Sequence, residues 1–203
     1  MDHTLTLLIV FTVALGMVLG HFVLPDALAV HCGQIIQLGL YLLLFLVGLD
    51  LGRQEGMLSS VRQAGLRVVL VPLAVMVGTF TVTALAGLLL PLGPKDCVAA
   101  AAGFGWYSLA PTLLAPYSLT VSATAFLSNV LHELFAIVLA PIVAQRFGYI
   151  ETVALPGAAA MDTVLPVVVS ATDQRMAIYS FTSGVILSLS VPLFIPAIIA
   201  LPF

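Results

Sequence analysis

The chain has 203 residues, 62% of them apolar and 7% charged, with a mean hydropathy of +1.22. A soluble domain carries about 25% charged residues to cover its surface, so this composition describes an integral membrane protein. Six Lys plus Arg and a net charge of -3 provide neither a basic nucleic-acid face nor a steering field, and Cys32 and Cys97, the two cysteines, lie in or beside apolar runs without metal-ligand spacing, which argues for packed thiols rather than a disulfide framework or a zinc site.

A helix needs about 20 apolar residues to span a bilayer core. Such runs occur at about 4–24, 33–51, 66–92, 97–118, 120–145, 152–171 and 176–201. The expected fold is therefore an all-α polytopic membrane protein, one transmembrane transporter domain over 1–203, with a two-span part at 1–65 and a core at 66–203. The longest polar stretch, Gly52 to Gln63, leaves no room for a soluble domain. The first run lacks a basic n-region and a small-residue cleavage site before His21, so it reads as a retained span rather than a signal peptide.

Arg53, Arg62 and Arg67 cluster around that polar loop, which the positive-inside rule assigns to the cytoplasm. The N-terminus is then expected inside, loop 25–32 outside and the C-terminus outside. If all seven runs cross, Lys95 and Arg146 fall outside and the other four basic residues inside. If 97–118 and 152–171 each enter and leave on one side, only Lys95 stays outside, a better fit to the rule. Composition also favours broken or re-entrant segments, because Gly103-Phe104-Gly105-Trp106-Tyr107-Ser108-Leu109-Ala110-Pro111 and Gly157-Ala158-Ala159-Ala160-Met161-Asp162-Thr163-Val164-Leu165-Pro166 both gather small residues before a proline. Gly103, Gly105, Pro111 and Pro166 are the expected helix breaks, each proline freeing a backbone carbonyl.

An offset of 55 lays Pro111 on Pro166, Gly103 on Ala158, Gly105 on Ala160, Trp106 on Met161 and Ser108 on Thr163, then Phe126 on Phe181 and Ser128 on Ser183. This predicts a paired internal repeat with halves at about 97–145 and 152–201. Transporters are commonly built from repeats whose discontinuous helices meet near the midplane, and freed backbone is tolerated there only where protein or a water cavity surrounds it.

A charged group at the bilayer centre costs at least ~2.5 kcal/mol and marks a functional candidate. Glu133 lies mid-span, and Asn129 at i-4 shares its helical face. Asp162 lies in the second broken segment, where it can approach a facing Glu or accept freed backbone amides. Asp50, three residues from Arg53, reads better as an interfacial ion pair than as a ligand. His132 points about 100 degrees away from Glu133, toward a neighbouring helix or headgroups as readily as toward a proton relay. Trp106 and Tyr107 can stack on a substrate or pack the break, and Ser108 and Thr163 can offer hydroxyls to a cavity or bond their own i-4 carbonyls. His21 and His31 read as interfacial residues.

The Gly103–Ser108 block, the Asn129-to-Glu133-Leu134 stripe, the Gly157–Pro166 block and Leu43-Leu44-Phe45-Leu46-Val47-Gly48-Leu49 together resemble the bacterial lysine exporter LysO family over roughly residues 35–200. The family pattern carries an Asp after the Asn and an Arg before the Glu, where this chain has Val130 and His132. The resemblance implies export of L-lysine and its analogues across the bacterial inner membrane. It also implies a longer family architecture, so the chain looks like the C-terminal portion of a split exporter, with a homodimer or a small membrane partner expected.

Lysine carries net charge +1, and moving it out against an inside-negative potential costs about 2.3 kcal/mol per 100 mV. No Walker-type sequence is present, so no nucleotide or other cofactor is expected, and proton antiport is the available drive. In this reading Glu133 and Asp162 hold the ammonium groups, while Asn129, Ser108 and a half-helix N-terminus meet the carboxylate. Paired carboxylates suit arginine, ornithine or Na+ almost as well, and a non-transporting subunit that needs a partner is the other alternative. An intramembrane aspartyl protease would need Gly-x-Gly-Asp, of which Gly48-Leu49-Asp50 is a partial echo, and Trp106-Tyr107-Ser108-Leu109 does not supply the Gly-x-Ser-x of a serine protease. The chain is read as a transporter, not an enzyme.

Overall fold

Long runs rich in Leu, Val, Ala and Ile, with Arg67, Glu133 and Arg146 as their charged residues, form the three long helices of the core: α1 (Leu66–Gly87), α4 (Leu119–Arg146) and α7 (Met176–Ile199). The computed structural model describes residues 66–202, plus Leu15, Val18, Leu38, Leu42 and Phe45 as single positions in helical conformation. Apart from those five, the expected spans 4–24 and 33–51, the loop bearing Arg53 and Arg62, Cys32, His21, His31 and Asp50 lie outside the described residues. Among the described residues, three helices are long and apolar enough to cross a membrane, at Val68–Gly87, Leu119–Arg146 and Met176–Ile199, the first and third within the expected runs 66–92 and 176–201 and the second extending the run 120–145 by one residue at each end.

Neither 97–118 nor 152–171 is one continuous helix. The first divides into α2 (Gly93–Ala101) and α3 (Leu109–Leu114), the second into α5 (Tyr149–Ala154), a 3-10 helix at Gly157–Met161, and α6 (Leu165–Ala171). The order short helix, break, short helix, long helix thus occurs twice.

Glycine rather than proline makes the breaks. Phe104 and Gly105 adopt φ +47 and +94, and Gly157 adopts φ +63, left-handed conformations that stop a helix and that glycine enters at little cost. Pro111 and Pro166 instead fall in the first turns of α3 and α6, where the missing N–H has no intrahelical acceptor to lose. They start the second arm and break nothing. Meanwhile Pro72, Pro141, Pro192 and Pro196 sit inside helices that stay continuous.

Contacts tie the two ends of the first interrupted segment. The Tyr117 hydroxyl, beyond α3, donates to Asp96 Oδ1 at 2.9 Å, and Lys95 Nζ lies 5.8 Å from the Tyr117 ring centroid. Lys95 also donates to the Leu201 carbonyl beyond α7. At the opposite end, Val153, Ala159, Val164 and Val168 bury together with Val71 of α1, and Met176 and Tyr179 pack against them. α7 is the central helix, with Leu187, Val191 and Ile195 fully buried, and it packs on α1, α2, α3, α5, α6 and the 3-10 helix.

Candidate functional site

The two breaks meet. Ala158 N–H donates to the Phe104 carbonyl at 2.7 Å, and a Cβ on Gly157 would stand 2.1 Å from that same oxygen. Phe104, 1% exposed, is held in its left-handed conformation by Phe80 of α1 and Phe194 of α7, whose ring centroids lie 5.5 and 6.5 Å away. Strain at such a residue costs about 1–3 kcal/mol, which burial of the aromatic ring offsets.

α4 clamps this junction through two side chains. Asn129, 3% exposed, accepts Gly105 N–H on Oδ1 at 2.6 Å and donates from Nδ2 to Ala125 O at 2.7 Å and Ala100 O at 3.2 Å. Gly103 is tight against it, since a Cβ there would come 2.7 Å from Asn129 Nδ2. His132 Nε2 lies 2.7 Å from the Leu155 carbonyl, a contact that requires the hydrogen on Nε2. A Cβ on Gly157 would come 3.2 Å from His132 Cε1, and one on Gly105 would lie in ordinary contact with the ring, 3.5 Å from Nδ1. Asn129 and His132 therefore hold the breaks in place; the amide of Asn129 is fully engaged by backbone.

One turn beyond Asn129, Glu133 turns to a different partner. The Thr163 hydroxyl donates to Glu133 Oε1 at 2.7 Å and lies 3.3 Å from Asp162 Oδ1, which also accepts Thr163 N–H at 2.6 Å. One hydroxyl thus sits between the two carboxylates the sequence singled out. Tyr107 joins Glu133 in lining the adjoining space. Beside Glu133 opens a cavity of about 280 Å³ lined by Tyr107, Phe126, Val130, Glu133, Leu134 and Ile137. Its walls are apolar apart from one carboxylate and one phenol.

The remaining candidates are peripheral to this cluster. Ser108 precedes α3 and makes no capping bond with its side chain. Trp106 is half-buried, and its N–H and C=O serve the turn by bonding Gly103 O and Ala110 N. Asp50 lies outside the described residues. Among the described residues no group of three His, Cys, Asp or Glu could hold a metal ion.

The sequence reading did not single out Phe104, Gly157, Ser180 or Gly184. Ser180 donates to Ala160 O at 2.8 Å, and a Cβ on Gly184 would stand 2.5 Å from Met161 N, so α7 grips the second break as α4 grips the first. The signal was available in the offset of 55, which lays Ala125 on Ser180 and Asn129 on Gly184.

Comparison with known proteins gives two matches. The family model described as lysine exporter LysO matches residues 10–199. The lysine exporter LysO of Escherichia coli (strain K12) is 34% identical over 166 residues, which make up 81% of this chain and 55% of that protein. The chain therefore spans little more than half the length of that curated relative. No solved structure matches it.

Proposed function

The chain belongs to the lysine exporter LysO family, and on that premise we propose that it exports L-lysine across a bacterial inner membrane in exchange for protons, with Glu133 and Asp162 as the groups that lysine and protons compete for. The observation that carries this reading is the carboxylate pair joined by Thr163 at the edge of an apolar-walled cavity. A lysine side chain has a matching polarity, an ammonium head on an aliphatic stem. The head would meet Glu133 and the Tyr107 ring, and the stem would lie along Phe126, Val130 and Leu134.

Coupling follows from competition. An ionised carboxylate holds the ammonium, whereas a protonated one releases it. One proton in for one lysine out leaves no net charge movement, so the pH gradient supplies the drive without opposition from the membrane potential. Asn129 and His132 serve this chemistry by positioning the breaks beside the acids. Tyr107 borders the same space, with Trp106 and Ser108 as its chain neighbours.

In the bilayer, we read both interrupted segments as re-entrant hairpins and the two short-short-long units as an inverted pair. The contacts of Lys95 with Tyr117 and with Leu201 support this, since they bring the ends of the first hairpin and of α7 to one face. The Arg53–Arg67 side is then cytoplasmic, and the C-terminus external.

The test is lysine flux in proteoliposomes under an imposed pH gradient, with arginine, ornithine and Na+ as competitors. Wild type is expected to move lysine against its gradient, and Glu133→Gln and Asp162→Asn to lose this. Unchanged flux and pH dependence in both variants would overturn the mechanism. A second reading is favoured by the exposure of Tyr107, Asp162 and Thr163: the pathway forms only with a second copy or a small membrane partner, in which case wild type alone gives no flux and the partner restores it.

A further inference from the structure

Thr163 carries one hydroxyl hydrogen, and it has two anionic acceptors. Oγ1 stands 2.7 Å from Glu133 Oε1 and 3.3 Å from Asp162 Oδ1, while a hydroxyl can donate only once. We propose that the Thr163 hydroxyl is a selector that stabilises one carboxylate of the pair as an anion at a time, so that the site takes up a single proton per cycle. This rests on the transport reading above and adds to it a positioning residue and a physical cause for the one-proton stoichiometry.

The argument starts from the geometry. With Glu133 ionised, the hydroxyl donates to Oε1, and Asp162 relies on the Thr163 backbone N–H at 2.6 Å. When Glu133 takes a proton it no longer needs the donor, and rotation about Cβ–Oγ1 turns the hydrogen to Asp162, 3.3 Å away. Asp162 then holds both donors and remains an anion more firmly. Protonating one acid therefore protects the other from protonation, and no covalent bond changes in either step.

Among the described residues, the titratable groups around the pair are few. Glu133 comes from α4, Asp162 from the end of the 3-10 helix, and Tyr107 from the first break. α6 contributes no titratable side chain, Tyr179 of α7 packs with the Val153–Val168 cluster, and the His132 ring is turned to Leu155. Thr163 is thus placed to set the order in which the two acids take protons.

The test reads protonation directly, by infrared titration of the carboxyl band in the purified full chain, with Glu133→Gln used to assign the Glu133 component. In Thr163→Val the Glu133 anion loses its donor, and the midpoint of its band is expected to rise by about one pH unit, the loss of one charge-assisted hydrogen bond. Thr163→Ser keeps the hydroxyl and is expected to restore the wild-type midpoint. In flux assays the half-saturating lysine concentration is expected to rise about tenfold in Thr163→Val, with the maximal rate less affected. If Val does not fold, the contrast of Thr163→Ala with Thr163→Ser isolates the same hydroxyl. Coincident midpoints in wild type, Ser and Val, or Ala in place of Val, would overturn the selector even if lysine is transported. A shifted midpoint in a wild-type-like fold that moves no lysine would instead uphold the selector and overturn the substrate.

Discussion

The side-chain oxygen of Asn129 accepts the amide hydrogen of Gly105 at 2.6 Å, across 24 residues of sequence. A long helix thereby fixes the conformation of a break that has no regular structure of its own.

Replacing Asn129 by Leu keeps the bulk and removes all three of its hydrogen bonds, leaving Gly105 N–H and Ala100 O buried without partners. A loss of about 2–4 kcal/mol in stability is expected, seen as a lower Tm in detergent. Phe104→Ala is expected to cost about 3–5 kcal/mol by loss of the buried ring, with Phe80 and Phe194 losing their shared neighbour. A Tm for Asn129→Leu within a degree of wild type would contradict the clamp.

Two glycines give opposite expectations for the same substitution. Gly157→Ala places a methyl 2.1 Å from the Phe104 oxygen at φ +63, and is expected to abolish the folded state or cost several kcal/mol. Gly78→Ala, in the middle of α1 with nothing within 4 Å of the added carbon, is expected to be neutral or to stabilise by up to ~1 kcal/mol. Thermal unfolding of the two variants side by side checks both.

Membrane sidedness separates a re-entrant first segment from a crossing one. With hairpins, Tyr149→Cys is expected to label from the cytoplasmic side and Tyr117→Cys from outside, using an impermeant thiol reagent on oriented vesicles in a Cys32→Ala, Cys97→Ala background. External labelling at position 149 would mean that the segment 97–118 crosses.

The hydroxyls of Thr182 and Ser183 are buried in α7 without a hydrogen-bond partner. Ser183→Ala and Thr182→Val are therefore expected to leave stability unchanged or raise it by up to about 1 kcal/mol, because a desolvated donor is removed and no bond is lost. Ser180→Ala, which breaks the bond to Ala160 O, is expected to destabilise by about 1 kcal/mol. Chemical or thermal denaturation of the three variants distinguishes them.

The three long helices were legible in the sequence because hydropathy over about 20 residues depends on little besides composition. The breaks were legible as regions but misread in detail. Proline is conspicuous in a sequence, yet Pro111 and Pro166 open helices and Pro141 lies inside one, while the turning is done by Gly105 and Gly157 with the help of Phe104. That help depends on Phe80 and Phe194, contacts no local window contains. Asn129 and Glu133 were placed on one helical face by their spacing, but helical neighbours at i and i+4 are offset by about 40 degrees. That offset sends Asn129 to Gly105 and Glu133 to Thr163. The grip of α7 on the second break was hidden because it reverses the size relation of the first: Gly103 yields to Asn129 in one, and Gly184 yields to Met161 in the other.

The bond between Ala158 N–H and the Phe104 carbonyl is main chain on both sides. An alanine scan would therefore leave the bond's own atoms in place, since no side chain carries it, and would register the junction only through its surroundings, as at Gly157 and Phe104. Only proline at 158 would delete the donor itself; every other substitution acts on the link through the shape of the surrounding chain. Two relatives could then differ at most side chains of both breaks and still share this joint, provided the glycine at 157 is kept, so overall sequence identity there is a poor measure of whether the joint has been kept.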